Sequence, residues 1–150
     1  QEMTHHALEI VDRAIQAVDP YMAVKSHFEV QGDDYSTLKI GDEQLKLSDY
    51  DELVLVAFGK ASSAMATAVL EQLQANDNQH MPSCSGVVIC KDDHATDKEQ
   101  QVLSQYGVQV QMASHPVPDE RSATGASTLL DLVERHASPK TLVICCISGG

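Results

Sequence analysis

The chain has 150 residues, enough for one domain with a real core. A formal charge of -12 argues against nucleic acid, which is bound by clustered Lys and Arg, while 43% hydrophobic residues is the content of a globular chain. No apolar run approaches the roughly 20 residues that span a bilayer, and residues 1–9 lack the basic start and apolar core of a signal peptide.

Ala7, Leu8, Val11, Ala14, Ile15 and Val18 recur at helical spacing, which predicts a helix with that face inward. Pro20 is expected to end it after Asp19. The polar stretch that follows alternates as a strand does: Leu38 and Ile40 share a face, and so do Leu45 and Leu47. Gly41-Asp42 between them suits a tight hairpin turn with glycine in the first central place. This hairpin reads as an edge or an addition rather than as core.

Residues 53–58 form a nearly continuous apolar run, expected of a strand covered on both faces. Gly59-Lys60 breaks it. Residues 61–74 then read as a helix with Ala61, Ala64, Met65, Ala68, Val69 and Leu73 on one side, and residues 76–82 as a loop. A second strand covers 86–90. Thr96 and Glu99 make the T-x-x-E capping pattern of a helix ending near Tyr106, with Gly107 as its stop. Residues 108–112 are the third strand. Asp119 caps a helix running to about His136, with Ala123, Ala126, Leu130 and Val133 inward, and Ser138-Pro139 ends it. Residues 142–147 have the length of a buried strand, and Ser148-Gly149-Gly150 begins a turn.

Cys84, Cys90, Cys145 and Cys146 form no C-x-x-C pair, which argues against zinc and dithiol redox motifs. Cys145 and Cys146, adjacent in a strand, point to opposite faces. Buried reduced thiols, and with them a cytoplasmic protein, are the expectation.

Strands and helices in strict alternation predict an α/β fold: a mainly parallel sheet with helices on both faces, Rossmann-like, preceded by a helix and a small hairpin. Strand order is not contained in the pattern. Ligands of such sheets sit at the carboxyl ends of strands. A chain that stops at its own binding turn reads as a piece of a longer one.

Four places stand at strand ends. At Gly59-Lys60, glycine admits close backbone approach, the next helix offers N–H groups, and Lys60 adds charge. That combination suits a carboxylate or phosphate, although a solvated lysine at a helix start reads the same way. The G-x-x-x-x-G-K-[ST] phosphate loop is absent. At Ser148-Gly149-Gly150, bare amides can wrap a phosphate, though such turns also occur without ligands. His115-Pro116-Val117-Pro118-Asp119 puts an imidazole just past a strand, able to bind an anion or pass a proton, or forms only a stiff connection. Lys91-Asp92-Asp93-His94 reads as a local anion or structural element rather than a metal site, because adjacent residues seldom converge on one ion.

Taken in order, residues 54–61, 86–91 with His94, 115–119 and 142–150 resemble the glycerate 2-kinase family, whose C-terminal half is the MOFRL domain. The resemblance implies that the chain is the N-terminal portion of the N-terminal domain, with the active site in a cleft between two domains. It implies ATP-dependent phosphorylation of D-glycerate, usually to 2-phosphoglycerate, with ATP and Mg²⁺ as cofactors. It puts an active-site lysine at Lys60 beside Gly59, and the family's I-S-G-G-G-S turn on Ser148, Gly149 and Gly150. His115 is a further candidate for positioning substrate. No nucleic acid or membrane partner is implied, and a homodimer stays open. Two other readings remain. One is a hydroxypyruvate reductase or glycerate dehydrogenase, against which stands the missing G-x-G-x-x-G after the first core strand. The other is a non-catalytic small-anion-binding α/β module.

Overall fold

The computed structural model describes residues 2–32, 36–74 and 81–149. The expected loop at 76–82 therefore lies mostly outside the described residues, and so does Gly150.

Helix α1 (Glu2–Ala17) is followed directly by α2 (Pro20–His27), which the sequence reading lacked. Pro20 does stop the first helix, but its fixed φ also suits the first position of a new one. Asp19 caps that helix by accepting from the Met22 N–H at 2.8 Å. The expected inner face of α1 is not covered: Leu8, Val11, Ile15 and Val18 are between 53% and 76% exposed. Its main neighbour among the described residues is the short α2, so nothing there buries the stripe.

Strands β1 (Phe28–Gln31), β2 (Thr37–Ile40) and β3 (Glu43–Lys46) form an antiparallel sheet in that order. Leu38 lies opposite Leu45 and Ile40 opposite Glu43, so Gly41-Asp42 is the two-residue turn, with Gly41 at φ +59°. The hairpin is a separate sheet but not a mere addition. Phe28, Leu38 and Leu47 are buried in the same core as Leu70 and Leu73.

The main sheet holds β4 (Glu52–Phe58), β5 (Ser83–Lys91), β6 (Val108–Ala113) and β7 (Thr141–Ile147), all parallel, in the order β6-β5-β4-β7. The crossovers are α3 (Ser62–Gln74), α4 (Asp97–Gln105) and α5 (Glu120–Arg135). Leu53, Leu55 and Ala57 of β4 pack on the α3 side, together with Leu103 of α4. Val54, Val56 and Val87 face Leu132 of α5 on the other side. Each fully buried Leu or Val contributes about 1.5–3 kcal/mol relative to an exposed one. Both expected caps form: Thr96 and Glu99 make a reciprocal capping box, and the Asp119 carboxylate accepts from the Arg121 N–H. No helix among the described residues is long and apolar enough to cross a membrane.

Three expected faces need correction. Helix α3 is buried more broadly, with Ser62, Ser63, Ala66, Thr67 and Leu70 covered and Ala61, Ala64 and Met65 only partly so. It is packed from the sheet, from α2 and from α4 at once. On α5, Ala123, Ala126 and Leu130 point outward, and Gly125 and Leu132 are the buried residues. Gly125 brings the helix onto Ile89 and Gln111, where an added Cβ would sit 3.1–3.2 Å from their side chains. Strand β7 is an edge with alternating exposure: Val143 is 41% and Ile147 60% exposed. Cys145 is consequently exposed and Cys84 half-buried, so only Cys90 and Cys146 are the buried thiols expected.

Candidate functional site

From β4 the chain winds outward through β5 and β6, then returns to lay β7 on the other side of β4. The strand order therefore reverses at β4, between β5 and β7. Such a switch point opens a crevice at the carboxyl end of the sheet. Gly59-Lys60 and Ser148-Gly149 line it, because Phe58 and Ile147 are register partners at the ends of their strands.

The two turns touch. The Ser148 N–H donates to the Phe58 carbonyl at 3.0 Å, and the Ala61 N–H donates to Ser148 Oγ at 3.2 Å. Gly59 has φ +106°, and a Cβ there would lie 2.2 Å from the Ser148 carbonyl oxygen. Only glycine meets both conditions. On the β5 side the Gly59 N–H donates to the Ile89 carbonyl at 3.1 Å. The Ser62 hydroxyl lies 2.7 Å from the Gly59 carbonyl and 3.1 Å from that of Ile89. The turn is thus held from both sides, while space stays open around Gly149, with no atom within 4 Å of an added Cβ.

The sequence-predicted residues come together on this rim. Lys60 is exposed, at the opening turn of α3, whose first N–H groups favour an anion. His115 follows the end of β6, two strands away. It is held below the usual imidazole range by partial desolvation and then by the positive charges of Lys60, Lys91 and His94. The ring nitrogen Nδ1 of His94 lies 3.3 Å from the Lys60 carbonyl. A carbonyl only accepts, so Nδ1 is the donor.

Beside this group, Arg121 forks onto both Asp92 oxygens at 2.7 and 2.8 Å and reaches Asp119 with Nε at 2.8 Å. Arg121 is the chief cause that holds both carboxyls below their usual range. The fork ties the start of α5 to the loop after β5. Among the described residues no three His, Cys, Asp or Glu side chains are grouped to hold a metal ion. The sequence reading gave Lys91 and His94 only a local role. The signal that joins them to Lys60 and His115 is a basic residue just past each of three strand ends in an acidic chain.

Residues 6–150 match the family described as a domain of unknown function (DUF4147). The chain belongs to the DUF4147 family. A glycerate 2-kinase of Pyrococcus horikoshii is 31% identical over 143 residues, which cover 95% of the chain and 28% of that protein. A D-glycerate 2-kinase of Thermotoga maritima is 30% identical over 144 residues, covering 96% and 28%. A relative in Agrobacterium vitis that carries a hydroxypyruvate reductase name is 30% identical over 141 residues, covering 94% and 25%. The crystal structure of a Pyrococcus horikoshii OT3 protein superposes with a TM-score of 0.74 at 26% identity, over 99% of this chain and 29% of that one. This DUF4147 chain is thus the N-terminal part of glycerate 2-kinase-like proteins. It spans 28% of the length of the two kinases it matches.

Proposed function

We propose that the protein of which this chain forms the N-terminal part transfers a phosphoryl group from ATP to D-glycerate, giving 2-phosphoglycerate. The observation that carries the reading is the meeting of the Lys60 turn with the Ser148-Gly149 turn at the switch point of the sheet. The two kinases at 31% and 30% identity supply the reaction class.

Phosphoryl transfer asks little covalent chemistry of a protein. It asks for oxygens held in line and developing charge neutralised. The Gly149 amide approaches the phosphate oxygens, since nothing crowds Gly149, while the Ser148 N–H is held by the Phe58 carbonyl. The Lys60 ammonium, together with the first turn of α3, meets the transferring phosphoryl group or the substrate carboxylate. His115 orients substrate from the neighbouring strand end. Mg²⁺ would supply positive charge to offset that of the phosphates. Among the described residues no three His, Cys, Asp or Glu side chains are grouped to hold it, and both Asp92 oxygens are taken by Arg121.

The name carried by the Agrobacterium vitis relative favours a second reading, a reductase. Against it, the first strand-to-helix turn reads Phe58-Gly59-Lys60-Ala61-Ser62-Ser63. The glycine fingerprint that admits a dinucleotide pyrophosphate is missing there, and the one glycine present is filled against Ser148.

The test is a coupled assay on the full-length protein. ADP formed from ATP and D-glycerate supports the kinase, and NADH oxidised with hydroxypyruvate supports the reductase. Lys60→Ala is expected to lower kcat by about 100-fold or more. Turnover near wild type in a folded Lys60→Ala protein overturns the role given to Lys60.

A further inference from the structure

Strands β5 and β6 end level. Lys91 is the register partner of Ala113, and the Asp92 N–H donates to the Ala113 carbonyl at 3.1 Å. His115 stands two residues beyond that point. After Lys91 the chain turns back on itself, with Asp93 in the left-handed region at φ 61° and the His94 N–H donating to the Lys91 carbonyl at 3.1 Å. This brings the His94 ring against the Lys60 carbonyl, and the Ser63 hydroxyl donates to the His94 carbonyl at 3.3 Å. Three neighbouring strands thus deliver basic groups to one stretch of rim.

What surrounds them matters as much. The Asp92 and Asp119 carboxylates beside this rim are both engaged by Arg121, Asp93 stands in the same loop, and the Glu99 carboxylate is held by Thr96. Among the described residues no carboxylate forms an ion pair with Lys60, Lys91, His94 or His115. In a chain of formal charge -12 with histidine neutral, two unpaired lysines with two imidazoles beside them are a place open to an incoming anion.

We propose that Lys91, His94 and His115 form a seat for a small 2-hydroxycarboxylate, separate from the phosphate turn at Gly59 and Ser148-Gly149. The seat rests on the kinase reading only in which anion goes where. A phosphate with several oxygens suits the open Gly149 turn and the start of α3 between β4 and β7. A carboxylate has one charge and two oxygens, and suits the Lys91 ammonium and an N–H of the His115 ring, with His94 alongside. An anion in the seat favours the protonated form of His115, countering the repulsion from Lys60, Lys91 and His94. Ligand binding therefore favours proton uptake by His115. Asp92, Asp119 and Arg121 also face this rim, joined in their own fork.

The test follows the His115 ring by NMR in full-length protein carrying ¹³Cε1-labelled histidine. D-glycerate is expected to raise the His115 titration midpoint, whereas uncharged glycerol leaves it in place. The Lys91→Ala/His94→Asn double variant is expected to weaken D-glycerate binding roughly tenfold to a hundredfold, with ATP affinity held within about twofold. A midpoint that D-glycerate moves no further than glycerol does overturns the seat. So does an equal loss of ATP and D-glycerate affinity, which means one diffuse field. A larger response to inorganic phosphate than to D-glycerate overturns the carboxylate assignment. Failure of the kinase reading looks different: no ADP is formed, while D-glycerate still moves His115.

Discussion

Gly59 and Gly149 flank one crevice yet answer to different constraints. Gly59 sits at φ +106° with the Ser148 carbonyl where a side chain would begin. Gly149 has neither a left-handed φ nor a close neighbour. Gly59→Ala is therefore expected to cost at least about 2 kcal/mol, since a strained backbone and a steric overlap add. Gly149→Ala should change stability by less than about 0.5 kcal/mol. Urea unfolding of the two variants checks this, and a Gly59→Ala protein as stable as wild type means that the two turns do not touch. The sequence alone pointed to both glycines, because a glycine ending a buried run is conspicuous. It could not separate their roles, since the Ser148 carbonyl comes from 89 positions away and reaches Gly59 only through the pairing of β4 with β7.

Between elements, the same logic sets the face of α5. Of the expected stripe Ala123, Ala126, Leu130 and Val133, only Val133 packs toward the sheet, because the helix is turned so that Gly125 meets Ile89 and Gln111. Periodicity counts apolar side chains and gives glycine no weight, so a contact made by an absent side chain goes unseen. Leu132, 8% exposed, should cost about 2–4 kcal/mol on truncation to alanine. Leu130, 59% exposed, should cost less than about 1 kcal/mol. Reversal of that order in thermal or urea unfolding returns the helix to the face its sequence suggests. The start of α5 has its own signature in the Asp92–Arg121–Asp119 fork. Both carboxyls are depressed in the folded chain, so their contribution is present above the usual carboxylate range. It is lost as pH falls through their lowered values. Arg121→Gln should therefore be less stable than wild type near pH 6, with the gap closing in acid. A gap constant with pH would mean that Arg121 acts through packing alone.

At the scale of the whole molecule, the core strands and the helices between them were legible because each carries its own period. The order β6-β5-β4-β7 was not, for it depends on where β7 returns. That order decides two things at once: it makes β4 and β7 neighbours at the crevice, and it leaves β7 as an edge. The sheet is consequently covered unevenly. On the α3 side Leu142, Ile144 and Cys146 of β7 are buried, and on the other side Val143 and Ile147 reach solvent because α5 lies over β4, β5 and β6. The cysteines report this asymmetry. Burial pushes the Cys84 and Cys146 thiols up to about 11, and it raises Cys90 too, with Glu99 and Asp92 adding to the effect. A thiol at about 11 is thiolate in roughly one molecule per thousand at pH 8. Cys145, one residue from Cys146, faces the uncovered side. In this chain an aromatic disulfide reagent at pH 8 should meet one fast thiol, abolished by Cys145→Ser, and three more only after unfolding. Two equally fast thiols would mean that β7 is not the alternating edge described, and the crevice it forms with β4 would have to be redrawn with it.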